Sequence, residues 1–216
     1  AATIRPNLAR FAATVRANPE AWFSELPKIL TLSKGYEAGR LPAWFHYSHP
    51  LQRAVIMANP GYDIVFNPRG VTVYHGGGAN PKEFLTFGIS PKPVGPNGPE
   101  VLPYVTDSTT NGGFFSTSSD IHAPGPPSVT DFAVTGLVRH GRPLIYVIRL
   151  KPGTAVDVNP TLGADSLYSG QMELAVFRHI APENIQGYFV LTFPPSPRFG
   201  TLPIGWKYIP NPNFKP

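Results

Sequence analysis

The chain has 216 residues, 27 prolines, no cysteine and a net charge of +5, from 18 Lys and Arg against 13 Asp and Glu. The lack of cysteine excludes a disulfide scaffold and thiolate zinc ligation, and no apolar run reaches the roughly 18 residues of a membrane span. The mild positive charge favours anionic partners such as nucleotides or nucleic acid, and so much proline predicts short elements joined by irregular loops.

Three helices are expected first. "PNLARFAATVRAN" spaces Leu8, Phe11, Ala12 and Val15 at helical intervals and stops at Asn18-Pro19. "PEAWFSELPKILTLSKG" places Trp22, Phe23, Leu26, Ile29 and Leu30 together and ends at Gly35. "HPLQRAVIMANPG" has Pro near its start and Asn-Pro-Gly after it. Residues 1–65 thus read as a helical N-terminal segment, a cap or a docking surface. From about residue 64 short β-branched and aromatic runs take over: "DIVF", "GVTVYHG", "GFFSTSS", "RPLIYVIRL", "TAVDV", "MELAVFRHI" and "GYFVLTF". Short helices are expected within 84–114 and 120–142. The tail from Pro194 is too Pro-rich for regular structure and is expected to wrap the surface, anchored by Trp206, Tyr208 and Phe214. The class is α+β.

Three segments carry candidate chemistry. "VTVYHGGG" ends a strand in His75 followed by Gly76 to Gly78, where a backbone can approach a ligand. "GGFFSTSS" turns from aromatic to the hydroxyls of Ser116, Thr117 and Ser118. "GQMEL" spaces Gln171 and Glu173 to share one face of a strand, with Met172 turned away. Singly, each is explained by β-propensity, turn chemistry or a solvated strand face. "HYSH" at 46–49 reads as surface histidines rather than a metal site, "GGGANP" lacks a dinucleotide or phosphate-loop spacing, and no Gly-x-Ser-x-Gly elbow occurs.

In this order and spacing the three segments resemble the catalytic domains of mono-ADP-ribosyltransferase toxins of the cholera, heat-labile enterotoxin and pertussis type. The resemblance runs over roughly residues 70–192, through "LIYVIRL", "AVDVNPTLG" and "QMELAVFRHIAPENIQGYFV". One position departs: His75 stands where that family usually has Arg. The diphtheria-toxin and poly-ADP-ribose polymerase branch has His there, but has Tyr in place of Ser-Thr-Ser.

The resemblance implies a split β-sandwich over 66–216 that cleaves the nicotinamide–ribose bond of NAD, its substrate. The transition state resembles an oxocarbenium ion. Glu173 would face its developing charge through the ribose 2′-hydroxyl, and Ser116 would hydrogen-bond Glu173 and fix its rotamer. Thr117 and Ser118 would shape the pocket. His75 would donate to the NAD ribose or phosphate, leaving the pyrophosphate to Arg53, Arg69 or Arg139, so that His75→Arg preserves or improves NAD binding. Gly76 would present its backbone to the nicotinamide amide. The stretch 163–170, with Tyr168, would face the acceptor. Gln171 cannot take a proton, which disfavours an arginine acceptor and leaves another protein side chain or a nucleobase. The family also implies delivery into a target cell, with help from a translocation protein, and action in the cytosol. A NAD glycohydrolase and a non-catalytic binding module are the competing readings.

Overall fold

The computed structural model describes residues 49–94, 98–107, 112–192 and 205–216. The first two expected helices lie outside them. The chain divides into two compact units, one combining the segment up to Ile64 with 92–114, the other combining 65–91 with 115–216.

In the first unit α1 spans Pro50–Ala58, the third expected helix. His49 caps it, with Nδ1 accepting from the Leu51 N–H at 3.2 Å, while Gln52 Oε1 accepts from the His49 N–H at 2.9 Å. Its end is held by the buried Asn59. The Asn59 amide donates to the carbonyls of Val55 and Pro99 at 2.6 and 2.9 Å and accepts from the Val101 N–H at 2.8 Å. One side chain therefore satisfies the orphan carbonyl end of one helix and the orphan amide start of the next.

The second unit is built on seven antiparallel strands: β1 (Val71–Gly77), β2 (Phe115–Ser118), β3 (Leu144–Leu150), β4 (Ala155–Asp157), β5 (Glu173–Val176), β6 (Ile185–Thr192) and β7 (Gly205–Pro210). Their order is β4-β5-β2-β1-β3-β6-β7. β1 pairs with β3 over seven residues but with β2 at one position, Tyr74↔Ser118. Beyond that pair the two strands part, and this divides the sheet into a β4-β5-β2 half and a β1-β3-β6-β7 half, the expected split. The hydrophobic core lies on one face. Val73, Leu144, Tyr146, Ile148 and Leu150 of the larger half meet Ala155, Leu174 and Val176 of the smaller. The helix α2 (Pro81–Phe87) adds Phe84 and Leu85 to it.

The other face of the larger half carries the second helix of this unit, here α4 (Val129–His140), since Val101–Thr106 of the first unit is α3. Ser128 and Asp131 close a capping box at the start of α4, and Gly141, in a left-handed conformation, ends it. The glycines at 76–78 seat this helix. A Cβ on Gly76 would collide with the Val129 carbonyl, and one on Gly136 with the backbone of Gly77 and Gly78. Strand and helix therefore touch backbone to backbone.

The tail corrects the expectation. Residues 205–210 form β7, paired with β6 from Gly187↔Pro210 to Thr192↔Gly205. Trp206 does anchor it, packed with Val129, Ala133 and Ile145, and Tyr208 lies 5.0 Å from the Phe189 ring. The edge position tolerates the terminal proline, whose missing N–H would break an inner strand.

Candidate active site

Cross-strand registry assembles the site. Tyr74 pairs with Ser118 and Ser118 with Glu173, so residues from β1, β2 and β5 stand in one line across the sheet. Glu173 is the first residue of β5 and is 6% exposed. Ser116 sits two residues along β2, opposite Ala175. It therefore shares the Glu173 face on a diagonal that a long side chain can span. The hydroxyl directly across from Glu173 belongs to Ser118.

The other two hydroxyls both bond to backbone. Thr117 points to the opposite face and donates to the Leu174 carbonyl at 2.7 Å. Ser118 Oγ lies 2.7 Å from the carbonyls of both Asp120 and Gln171. It thereby pins the turn that delivers Glu173.

That turn also corrects the reading of Gln171. The expected strand begins only at Glu173. Ser169–Gln171 is a single 3₁₀ turn and Met172 has φ 51°, in the left-handed region. This reversal buries Gln171 and Glu173 while leaving Met172 46% exposed, so the alternation arises from a turn rather than from strand pleat. Asn159 holds the turn from below, donating to the Ser169 carbonyl at 2.7 Å and accepting from Ser166 Oγ at 3.0 Å. The loop after β2 ties on as well, through Ser119 N–H to the Met172 carbonyl and Gly125 N–H to the Gly170 carbonyl, both 3.0 Å. Tyr168 stands exposed beside Leu167, an apolar surface flanking Gln171.

His75 bridges the split. It faces the core side of β1, with its ring 4.1 Å from Phe115 and 6.4 Å from Tyr146. Nδ1 lies 2.8 Å from the Ser116 carbonyl. A carbonyl can only accept, so Nδ1 carries the proton and Nε2 of the neutral ring presents a lone pair. Burial among these rings lowers the imidazole pKa to about 4, against the opposing pull of the Ser116 carbonyl. His75 is thus neutral at physiological pH and is an acceptor at Nε2, which corrects its expected role as a donor or a phosphate grip. A Cβ on Gly77 would lie 3.1 Å from Nε2 and meet nothing outside that ring within 4 Å, so the space beside Nε2 is open.

A stability signature follows from this burial. Below pH 6.5 the unfolded chain takes up a proton at His75 that the folded chain refuses. Stability is therefore complete above pH 6.5 and falls progressively towards pH 4, by at most about 3 kcal/mol. Urea denaturation at pH 7.5 and pH 4.5 should show this loss, and His75→Gln should flatten the difference.

Gly76 does not have the expected open approach on its α-carbon, which α4 seals. Of the three proposed phosphate-binding arginines, Arg69 and Arg139 are exposed in this unit and Arg53 lies in the other. Two residues missed from the sequence belong to the site's surroundings. Tyr146, within the strand-forming run "LIYVIRL", walls the His75 ring and donates to the Ala79 carbonyl at 2.7 Å. Its burial raises the phenol pKa, and the charge of Arg142, between α4 and β3, acts on it in the opposite sense. Neither has a motif of its own; the β1–β3 registry, His75↔Tyr146, brings in Tyr146, and Arg142 enters through its charge on that phenol. No group of three or more His, Cys, Asp or Glu suited to a metal ion occurs among the described residues.

No family model and no curated protein matches the chain. Solved structures do. A point variant of the Scabin toxin from Streptomyces scabies superposes with a TM-score of 0.54 at 21% identity, covering 76% of this chain and 88% of that one. Scabin in complex with NADH gives 0.54 at 22% identity, with 76% and 87% covered. A guanine-specific ADP-ribosyltransferase gives 0.52 at 21% identity, with 76% and 94% covered. The split sheet, its strand order and these superpositions together identify the fold as that of the ADP-ribosyltransferase toxins.

Proposed function

We propose that the chain is a NAD-dependent mono-ADP-ribosyltransferase whose acceptor is a nucleobase, and that it is the toxic part of a protein delivered into a target cell. The observation that carries this reading is the convergence of β1, β2 and β5 on Glu173 at the mouth of the split, with His75 bridging the gap. The residues fit NAD. A space lies beside the His75 lone pair, the Phe115 and Tyr146 rings pack against the imidazole itself, and a buried carboxylate stands on the neighbouring half-sheet.

Glu173 accepts a hydrogen bond from the 2′-hydroxyl of the nicotinamide ribose and faces the positive charge that grows as the glycosidic bond lengthens. From the opposite face of the sheet, across the gap between β1 and β2, His75 Nε2 accepts from another ribose hydroxyl. Arg142 supplies charge for the pyrophosphate in place of the arginine usual on β1. Gln171, held by the Ser118-pinned turn, hydrogen-bonds an acceptor that is already nucleophilic. A ring nitrogen or exocyclic amine of a base meets that description, and a guanine-specific enzyme is among the similar structures. The exposed Leu167, Tyr168 and Met172 favour a docked acceptor over water, against the glycohydrolase reading. With no cysteine, no disulfide has to be reduced for action in the cytosol.

Isotopically labelled NAD incubated with guanine-containing nucleic acid and with cell lysate tests this. Label retained on the nucleic acid is expected. Nicotinamide release with no label on any macromolecule would make the protein a hydrolase, and label on protein alone would move the acceptor. Gly77→Ala places a methyl against Nε2 in an otherwise open space. It should raise the KM for NAD about tenfold, the equivalent of one lost hydrogen bond, with kcat and Tm little changed.

A further inference from the structure

The face of the larger half-sheet away from the core holds a cavity of about 890 Å³, a size typical of small-molecule sites. Four aromatic residues from three strands line it: Tyr74, Phe189, Trp206 and Tyr208. His122 and Thr130 reach it from the loop and helix that follow β2, and none of its described lining residues is Asp, Glu, Lys or Arg. Flat π-faces without fixed charge suit a planar, uncharged heteroaromatic ring, which stacks on such residues whatever its substituents. A phosphate or an amino acid would leave its charge unpaired there.

Position narrows the occupant. Tyr74 is the residue paired with Ser118, itself paired with Glu173. The cavity therefore begins two strand spacings, about 10 Å, from the carboxylate on the same face. The loop from Ser118 to His122 joins the two places directly. The proposed reaction involves two bases at such a remove from the reacting carbon: the adenine of NAD, and a base of the acceptor strand. Resting on the function proposed above, we infer that this cavity takes a purine ring from one of those two co-substrates, stacked on Trp206 and Tyr74.

Trp206 provides the probe. Adenosine or guanosine titrated into the protein should quench its emission saturably. The effect should vanish in Trp206→Phe, which keeps Trp22 and Trp44, and weaken about tenfold in Tyr74→Leu. With Trp206→Leu, a rise of about tenfold in the KM for NAD alone assigns the site to the NAD adenine. A rise confined to the nucleic-acid acceptor assigns it to the acceptor base. Absence of saturable quenching by either nucleoside, quenching unchanged in Trp206→Phe, or both KM values unmoved would overturn the proposal. If NAD is still turned over in that event, the cavity alone loses its role. Quenching without any NAD turnover would instead remove the reaction and leave a purine-binding site.

Discussion

Glu173→Gln is expected to slow nicotinamide release from NAD by about 10²–10³-fold, a loss of roughly 2.7–4 kcal/mol of barrier stabilisation. The substitution keeps the shape of a side chain that is 6% exposed at the start of β5, and removes its negative charge. A buried carboxylate is costly to desolvate, so the amide should leave Tm unchanged or slightly raised. The two readouts therefore move apart. A fall in both kcat and Tm would point to a structural role, and turnover at the wild-type rate would show that a different group meets the developing charge. Substrate binding should change far less than kcat, because the interaction strengthens only as the ribose becomes cationic.

The second large effect concerns His75. Arg is the usual residue at this point of the resembling toxins, and on sequence grounds His75→Arg should preserve or improve NAD binding. The structure reverses that expectation. The ring lies between Phe115 and Tyr146, its Nδ1 is spent on the Ser116 carbonyl, and its neutral form is the stable one. A guanidinium would carry a permanent charge into this setting, at a cost on the order of 3 kcal/mol. It would also have no lone pair to offer a ribose hydroxyl. Thermal unfolding should therefore show a clear drop in Tm for His75→Arg, and NAD cleavage should fall. His75→Gln, which can place a donor toward Ser116 and remain neutral, should be less damaging on both counts. A stable His75→Arg protein with tighter NAD binding would contradict the acceptor role assigned to Nε2.

These corrections show what the chain discloses before it is folded. The strand-forming runs and the order of the His75, Ser116 and Glu173 segments were legible because each motif combines local β-propensity with a distinctive side chain. Its register was not. Whether Ser116 or Ser118 lies directly across from Glu173 depends on how β2 slides against β5, and a period-2 pattern leaves that open. The Gly76–Gly78 run looked like a ligand approach. Its partner is Gly136, sixty residues on, and no local pattern reports that contact. The turn at Ser169–Gln171 hid inside an apparent strand, because its left-handed residue is a methionine rather than a glycine. β7 was missed because prolines surround it, while the edge of the sheet accepts a short strand. Neutral His75 is likewise a product of packing, since an imidazole in the sequence says nothing of the rings that enclose it.

The most direct measurement is a crystal structure with NAD bound to the Glu173→Gln protein, in which slow turnover preserves the substrate. The nicotinamide ribose is expected at the split between β1 and β2, its 2′-hydroxyl within hydrogen-bond distance of residue 173 and another ribose hydroxyl on His75 Nε2. NAD bound well ordered elsewhere, with position 173 facing no part of the ribose, would contradict it.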